Sequence, residues 1–458
     1  MRCIVIGGGL AGLMAAKKLR STRPDAKITV IERNESVGGL LAGVDYHDQE
    51  LYFDLGTHIF QETGDTEIDK ILLNAVSTDD LIHFPVGEGD TAGAVFRGRL
   101  QTNTHYPDIR GGVVDANVVA SLRGHIASAE HTLNPVERTA SLLETASLRF
   151  GALFAEEIVG PTLARAYGHP ADALAGFAML LPGWTRVVVD DHADWEARVC
   201  DERYRSLVSV PNQRDLPAEL RHARRSFYSR SRGSRAFVDG VAKQLCDADV
   251  ELLCGATILS LDTARRSIEM IDGKGLSRSL SADLIILATG VIGAAQMLGV
   301  DLHRKGFDRP MPHWVVNVVL EQPCDSDLCY LYGLDTDCDW YRVTNYRAFS
   351  GNRVDRRLTF EVLGQHSVDS TYPQRLVNQL HRIGIIASSG IEFAESRKLG
   401  SGFPAPTVRN MRALTALGAE LSASLPPTII LGGIGASKGL FFQNEIISDL
   451  CNRIAATS

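Results

Sequence analysis

Apolar residues run without a break through Ile4-Val5-Ile6, give way to Gly7-Gly8-Gly9, and return at helical spacing at Leu13, Ala16 and Leu19. A short continuous apolar run bounded by turn residues predicts a strand buried on both faces, and the 3.6-residue period predicts an amphipathic helix. A second apolar run, Ile28-Thr29-Val30-Ile31, ends in Glu32. Strand, glycine turn, helix, strand and acid in this order predict a dinucleotide-binding βαβ unit. Gly7 serves the tight turn, Gly9 lets backbone approach a pyrophosphate, and Gly12 lets helix pack on strand. The helix N-terminus, at Leu10 and Ala11, attracts the phosphates, and the Glu32 carboxylate accepts from ribose hydroxyls.

Two later stretches supply further pieces of the same sheet. Val250 to Ile258 reads as a strand; Ile268 to Ile271 with the Asp272-Gly273 turn then reads as a small meander, and Ala282 to Gly290 as a buried strand ending in small residues. Ile429-Ile430-Leu431 precedes the glycine-rich Gly432-Gly433-Ile434-Gly435 and a helix predicted over 444–455. Between them, Val118, Leu122, Ile126, Leu142, Leu148, Phe154 and Ile158 mark a mainly helical stretch, while Trp314–Leu320 and Arg357–Leu363 are β-rich. The expected fold class is α/β: a discontinuous Rossmann-like domain (1–62, 226–300 and 401–458) with an inserted helical lobe (63–225) and an inserted antiparallel β-sheet lobe (301–400).

Composition narrows the function. The 458 residues are 45% hydrophobic and 22% charged, enough for a large core in two or more lobes. Forty-seven basic against 55 acidic residues give a net charge of −8, which argues against a nucleic-acid partner. No apolar run reaches the ~20 residues of a membrane span, and no cleavable leader precedes the first strand, so a cytoplasmic protein is expected. The eight cysteines lack any C-x-x-C pair, and Cys324, Cys329 and Cys338 match no common metal spacing; reduced structural thiols are expected. Without a Ser-His-Asp constellation or an H-E-x-x-H motif, hydrolase and metalloenzyme readings are set aside.

The continuation Glu32-Arg33-Asn34-Glu35-Ser36-Val37-Gly38-Gly39-Leu40 resembles FAD-dependent oxidoreductases of the glutathione-reductase-like superfamily, in which the basic residue and glycine pair lie along the FAD. Ala288-Thr289-Gly290 is similar to the segment that closes the sheet in many of them. Tyr52-Phe53-Asp54-Leu55-Gly56-Thr57-His58-Ile59-Phe60 resembles the protoporphyrinogen oxidase and amine oxidase relatives, and its second half the UDP-galactopyranose mutases. Arg165–Pro170 with Leu174 and Leu181-Pro182, Tyr341–Phe349, and Leu431–Gly435 also resemble mutase stretches. The resemblance implies FAD held by Arg33, Gly39, Leu40, Thr57, His58, Ile258, Thr289, Gly290 and Gly433 besides the N-terminal residues. Three positions depart from the mutase pattern: Leu180 and Ile434 stand where arginines are expected, and Asn345 where a glutamate is.

If the mutase resemblance holds, the implied chemistry is redox-neutral ring isomerisation of a nucleotide diphosphate sugar by reduced flavin, with NAD(P)H or another donor as reductant. Arg342 and Arg347 are then the candidates for phosphate recognition, on opposite faces of a strand-like segment, and a surface salt bridge is the alternative for each. His58 is a candidate catalytic residue beside the flavin, or a core histidine. Tyr167 and Trp184 are candidates for stacking on base or sugar, or lobe packing, and Asn345 is a candidate substrate contact. Arg221, Arg224, Arg225, Arg230, Arg232 and Arg235 read as a solvated helix face, or as facing a phosphate. An FAD oxidase, dehydrogenase or desaturase is the alternative activity, and a non-catalytic flavin-binding protein the third reading.

Overall fold

A computed structural model of the chain describes residues 1–84, 92–128, 136–221, 224–364, 366–400, 404–437 and 441–457. It contains two compact units. The first is assembled from Met1–His83, Arg224–Phe307 and Arg412–Ser458, the second from Phe84–Ala223 and Asp308–Met411.

The first unit is built on a five-stranded parallel sheet in the order Glu251–Leu253, β2 (Lys27–Ile31), β1 (Arg2–Ile6), Leu284–Leu287, Ile429–Leu431. Its apolar runs are continuous because both faces are covered. Cys3 and Val5 of β1 join Ile28, Val30, Leu284 and Ile286 in one core, under α1 (Leu10–Thr22) and the helices Gly233–Cys246 and Gln443–Ala455. Ile4 and Ile6 point the other way, into a core with Ile285, Leu287, Ile429 and the strand Ser267–Ile271. The stretch read as one strand over 250–258 is two: Glu251–Leu253 pairs with β2, and Thr257–Asp262 opens the antiparallel meander with Ser267–Ile271 and Ser277–Ser281. The break falls at Cys254-Gly255, where Gly255 takes φ +68°.

The second unit carries a seven-stranded sheet, ordered Ile391–Lys398, His313–Leu320, Arg357–Leu363, Arg342–Asn345, Tyr330–Gly333, Ala92–Phe96, Arg99–Gln101. Its pairs are antiparallel except Tyr330–Gly333 with Ala92–Phe96. One face packs on Tyr372, Leu376, Val377 and Leu380 of the helix Tyr372–Arg382. The other shares a core with the helices Ala116–Ala127, Leu142–Phe150 and Gly160–Tyr167. The stretches expected as separate helical and β-rich lobes thus lie in one unit, because residues 92–101 hydrogen-bond into the sheet made by 313–398. Residues 63–83 and 301–307 belong to the first unit. The α/β class and Rossmann-like sheet are those expected. Among the described residues, no helix is long and apolar enough to cross a membrane.

Candidate functional site

The glycine turn between β1 and α1 is fixed by close packing on one side and open on the other. A Cβ on Gly12 would overlap the Gly7 carbonyl oxygen, so only glycine lets α1 approach the turn this closely. By contrast, no heavy atom lies within 4 Å of where a Cβ on Gly9 would stand. Gly9 is the N-cap of α1; no side chain caps this helix and no acid occupies its first turn, so the positive end of its dipole is uncompensated there. The Gly38 N–H donates to the Gly8 carbonyl at 2.8 Å, and a Cβ on Gly39 would lie 3.4 Å from Gly9 Cα. The two glycine segments therefore run side by side and leave a cradle that side chains would fill.

Glu32 is buried beneath this cradle at 7% exposure. Its carboxylate accepts from the Gly8 N–H at 2.7 Å and from the Asn34 N–H at 2.9 Å. Each oxygen keeps a second lone pair for a ribose hydroxyl. Arg33, Gly39 and Leu40 are exposed beside it, and Ile258 is half-buried at the start of the meander, whose Ala256 N–H donates to the Glu32 carbonyl at 3.0 Å. Leu10 is buried and Ala11 half-buried in the first turn of α1.

The third and fourth sequence-predicted segments close on the same turn. A Cβ on Gly7 would lie 3.1 Å from the Ala288 carbonyl oxygen. The Gly290 N–H donates to the Gly432 carbonyl at 3.1 Å and the Val291 N–H to the Ile434 carbonyl at 3.0 Å. Gly433 at φ +92° would place a Cβ 2.7 Å from the Gly290 nitrogen. Thr289 is exposed at the head of the helix Gly290–Met297.

Two residues of this unit take roles the sequence did not assign them: Asp54, quoted only within a motif, and Arg235, read as part of a solvated or phosphate-facing run. Asp54, 1% exposed, accepts from Tyr52 Oη (2.7 Å), Tyr228 Oη (2.6 Å), Ser234 Oγ (2.6 Å) and Ser234 N–H (3.1 Å). It ties the segment leading to the half-buried Thr57 and His58 onto the start of the helix Gly233–Cys246. Arg235 donates to the Ala42 carbonyl at 3.1 Å and pairs with Asp239 at 2.6 Å, bracing the turn that follows Gly38-Gly39. Asp54 lies inside a motif legible in the sequence, but its partners 174 and 180 positions away are not. The arginine run is not one helix face: Arg225 pairs with Glu62 at 2.7 Å, and Arg232 with Asp45 at 2.9 Å. These carboxylates come from distant sequence.

The second unit holds the candidate substrate residues. Arg342 and Glu361 face each other across adjacent antiparallel strands and pair in a fork, Nε to Oε1 at 2.7 Å and Nη2 to Oε2 at 3.0 Å. Their side chains are 19% and 6% exposed. Burial alone would lower the Arg342 pKa; the Glu361 carboxylate outweighs it and holds the guanidinium well above its ordinary value. Tyr332 stacks 5.8 Å from the guanidinium, and His313 Nε2 lies 3.8 Å from Glu361 Oε2. Tyr341 and Tyr167 meet hydroxyl to hydroxyl at 3.3 Å, and burial raises both phenols, which stay neutral.

Four candidate positions are taken up otherwise: an ion pair for Arg347 and lobe packing for Tyr167 and Trp184, which were the stated alternatives, and a loop contact for Asn345. Arg347 does not share the strand of Arg342: it lies in the short helix Tyr346–Ser350, donates to the carbonyls of Cys324 and Arg353, and pairs with Asp325 at 3.4 Å. Asn345 spends its amide on the carbonyls of Ser326 (2.9 Å) and Leu328 (3.1 Å), holding a loop. Trp184 is 1% exposed, edge-on to Phe96, with its indole N–H on the His105 carbonyl at 3.3 Å, so no ring face is left for a base. Tyr167, 1% exposed, is likewise a packing residue. Of the expected substrate contacts Arg342 is left, with Tyr332, which was not among the candidates, beside its guanidinium.

Residues 5–72 match the model of the NAD(P)-binding Rossmann-like domain. No protein of curated function matches the chain by sequence. Solved structures similar over 100% of the chain include a reduced UDP-galactopyranose mutase (16% identity, 93% of that chain, TM-score 0.73). A putative protoporphyrinogen oxidase from Exiguobacterium sp. 255-15 is similar at 16% identity over 98% of its length, with a TM-score of 0.68. A double mutant of putrescine oxidase is similar at 13% identity over 99% of its length, with a TM-score of 0.62. The chain shares the fold of these three structures.

Proposed function

We propose that this protein is an FAD-dependent enzyme whose discontinuous first unit holds the cofactor. The observation that carries the reading is the cradle at Gly8-Gly9 and Gly38-Gly39, open at Gly9, with an uncapped helix N-terminus and a buried carboxylate beneath it. A pyrophosphate would lie against the backbone of Gly9 and the first turn of α1, with ribose hydroxyls on Glu32. Arg33, Leu40, Ile258, Thr57, His58, Thr289, Gly290 and Gly433 are the further residues proposed along the flavin. FAD supplies hydride acceptance, or nucleophilicity when reduced. The net charge of −8 and the scattered cysteines support a cytoplasmic enzyme.

Two activities fit the fold. Ring isomerisation of a nucleotide diphosphate sugar is supported by the whole-chain similarity to a mutase structure and by the motifs around His58 and Arg342. Oxidation or desaturation of a small molecule is favoured by the Arg342–Glu361 pair: a guanidinium already neutralised by a bidentate carboxylate is a poor anchor for a diphosphate. The geometry therefore supports the oxidoreductase reading best. The experiment is anaerobic: purified yellow protein is mixed with amine, alcohol and porphyrinogen substrates, and separately with nucleotide sugars after dithionite reduction. Bleaching of the flavin by a substrate of the first group supports the oxidoreductase. Isomerisation confined to the reduced protein would replace it by the mutase, and a colourless protein that binds NAD instead would overturn the cofactor.

A further inference from the structure

The second glycine segment of the cradle is held from outside itself. Gly38 and Gly39 take φ +130° and +57°, and a glycine loses more conformational freedom on ordering than any other residue. The Gly38 N–H donates to the Gly8 carbonyl at 2.8 Å, and the Leu41 and Ala42 N–H groups donate to the Gly38 and Gly39 carbonyls at 3.0 and 3.2 Å. The base of the loop is closed by one guanidinium. Arg235 Nη1 donates to the Ala42 carbonyl at 3.1 Å and to Ser36 Oγ at 3.4 Å, so residues on both sides of Val37–Leu41 meet on the same nitrogen.

The placement of this arginine has a cost to its own helix. Arg235 lies in the first turn of the helix Gly233–Cys246, Arg232 is the N-cap, and no acid occupies that turn. Cations at a helix N-terminus oppose the macrodipole, so neither arginine is there to stabilise the helix. Their partners explain them instead. Arg235 Nε is turned onto Asp239 Oδ1 at 2.6 Å, one helical turn on. Asp239 lies 4.0 Å from Arg232 Nε, and Arg232 pairs with Asp45 at 2.9 Å. Asp45, Arg232, Asp239 and Arg235 therefore alternate in sign, and the chain of charges grips the backbone that follows the two glycines at both Ala42 and Asp45.

We propose that Arg235 is a positioning residue for the dinucleotide: through Ser36 and Ala42 it holds Gly38-Gly39 against the Gly8-Gly9 turn, and Asp239 acts through Arg235 by orienting its guanidinium. The inference rests on the FAD reading. Without this brace the two glycines would be ordered only when the cofactor binds, and the ordering cost would be subtracted from its affinity. The Arg232 and Asp239 side chains are each 43% exposed, and ion pairs at that exposure add little to global stability. Loss of the brace should therefore appear in cofactor retention before it appears in the fold.

The test is the FAD dissociation constant of the full-length protein, read from flavin fluorescence as the holoprotein is diluted. Arg235→Gln should weaken FAD about tenfold, the worth of a hydrogen bond from a charged donor. Arg235→Lys, which keeps the charge but not the fork, should restore part of the loss, and Asp239→Asn should weaken FAD severalfold. The double variant Arg235→Gln/Asp239→Asn should be no weaker than Arg235→Gln alone, because Asp239 works through that guanidinium. Lys305→Gln, which removes a 2.6 Å ion pair with Glu420 in the same unit, should leave the affinity unchanged and so serves as the control for a general loss of stability. Wild-type affinity in Arg235→Gln, losses that multiply in the double variant, or an equal loss in Lys305→Gln would overturn the assignment. A wild-type protein that takes up no FAD would overturn the cofactor reading and this inference with it.

Discussion

Replacing Arg342 by methionine tests whether its guanidinium serves the fold or a substrate phosphate. In the folded chain both Glu361 oxygens accept from Arg342, at 2.7 and 3.0 Å, and the Glu361 side chain is 6% exposed. Arg342→Met therefore takes the bidentate partner from a buried carboxylate, beside which His313 lies at 3.8 Å. Removing one partner of such a pair costs about 3–5 kcal/mol, whereas replacing both by apolar groups is often neutral. The expected order is wild type close to Arg342→Met/Glu361→Leu, and both well above Arg342→Met. At a urea slope of about 3 kcal/mol/M, the single variant should unfold at least about 1 M earlier. The assay is urea unfolding by tryptophan fluorescence, paired with titration of a nucleoside diphosphate. If Arg342→Met unfolds within about 0.3 M of wild type yet loses nucleoside diphosphate affinity, the fork belongs to a ligand and the structural argument fails.

Three further outcomes follow from the same geometry. Gly9→Ala meets no atom within 4 Å and has an allowed backbone, so it should leave the unfolding midpoint unchanged while reducing FAD retention on gel filtration; a midpoint loss equal to that of Gly12→Ala would count against an open cradle. Glu32→Ala should weaken FAD by ten- to a hundredfold, the ~1.5–3 kcal/mol of a charge-assisted bond, as followed by flavin fluorescence on dilution; unchanged retention would move the ribose contact elsewhere. His105 is held neutral at a pKa of about 4, against 6.5 unperturbed, so its contribution is fully present above pH 6.5 and declines as pH falls toward 4. Stability should drop by up to about 3 kcal/mol over that window, and the slope should flatten in His105→Gln; an unchanged pH profile in that variant would remove His105 from the account.

The N-terminal fingerprint was legible because every part of it is local. Turn, helix start and acid lie within 32 residues, and each residue's role follows from backbone geometry that glycine or carboxylate alone satisfies. The long β-rich runs at 314–320 and 357–363 were legible for a similar reason: β-branched residues in unbroken runs fit a sheet buried on both faces. The elements themselves were therefore largely written in local pattern.

What no local pattern contains is which side chains meet. Arg342 reads as a phosphate fork until the antiparallel register sets Glu361 opposite it. Trp184 reads as a stacking residue until Phe96 and His105 enclose it. Asp54 becomes the knot of the loop before His58 only when Tyr228 and Ser234 arrive from the next segment of the same unit. Likewise, the helical and β-rich stretches form one unit because the strands within 92–101 and 313–398 share a hydrogen-bonded sheet. Charge pairing and burial depend on distances between residues far apart in sequence. The sequence by itself determined the glycine turn and the sheet classes, and tertiary packing decided which cations are paired, as Arg342 is by Glu361.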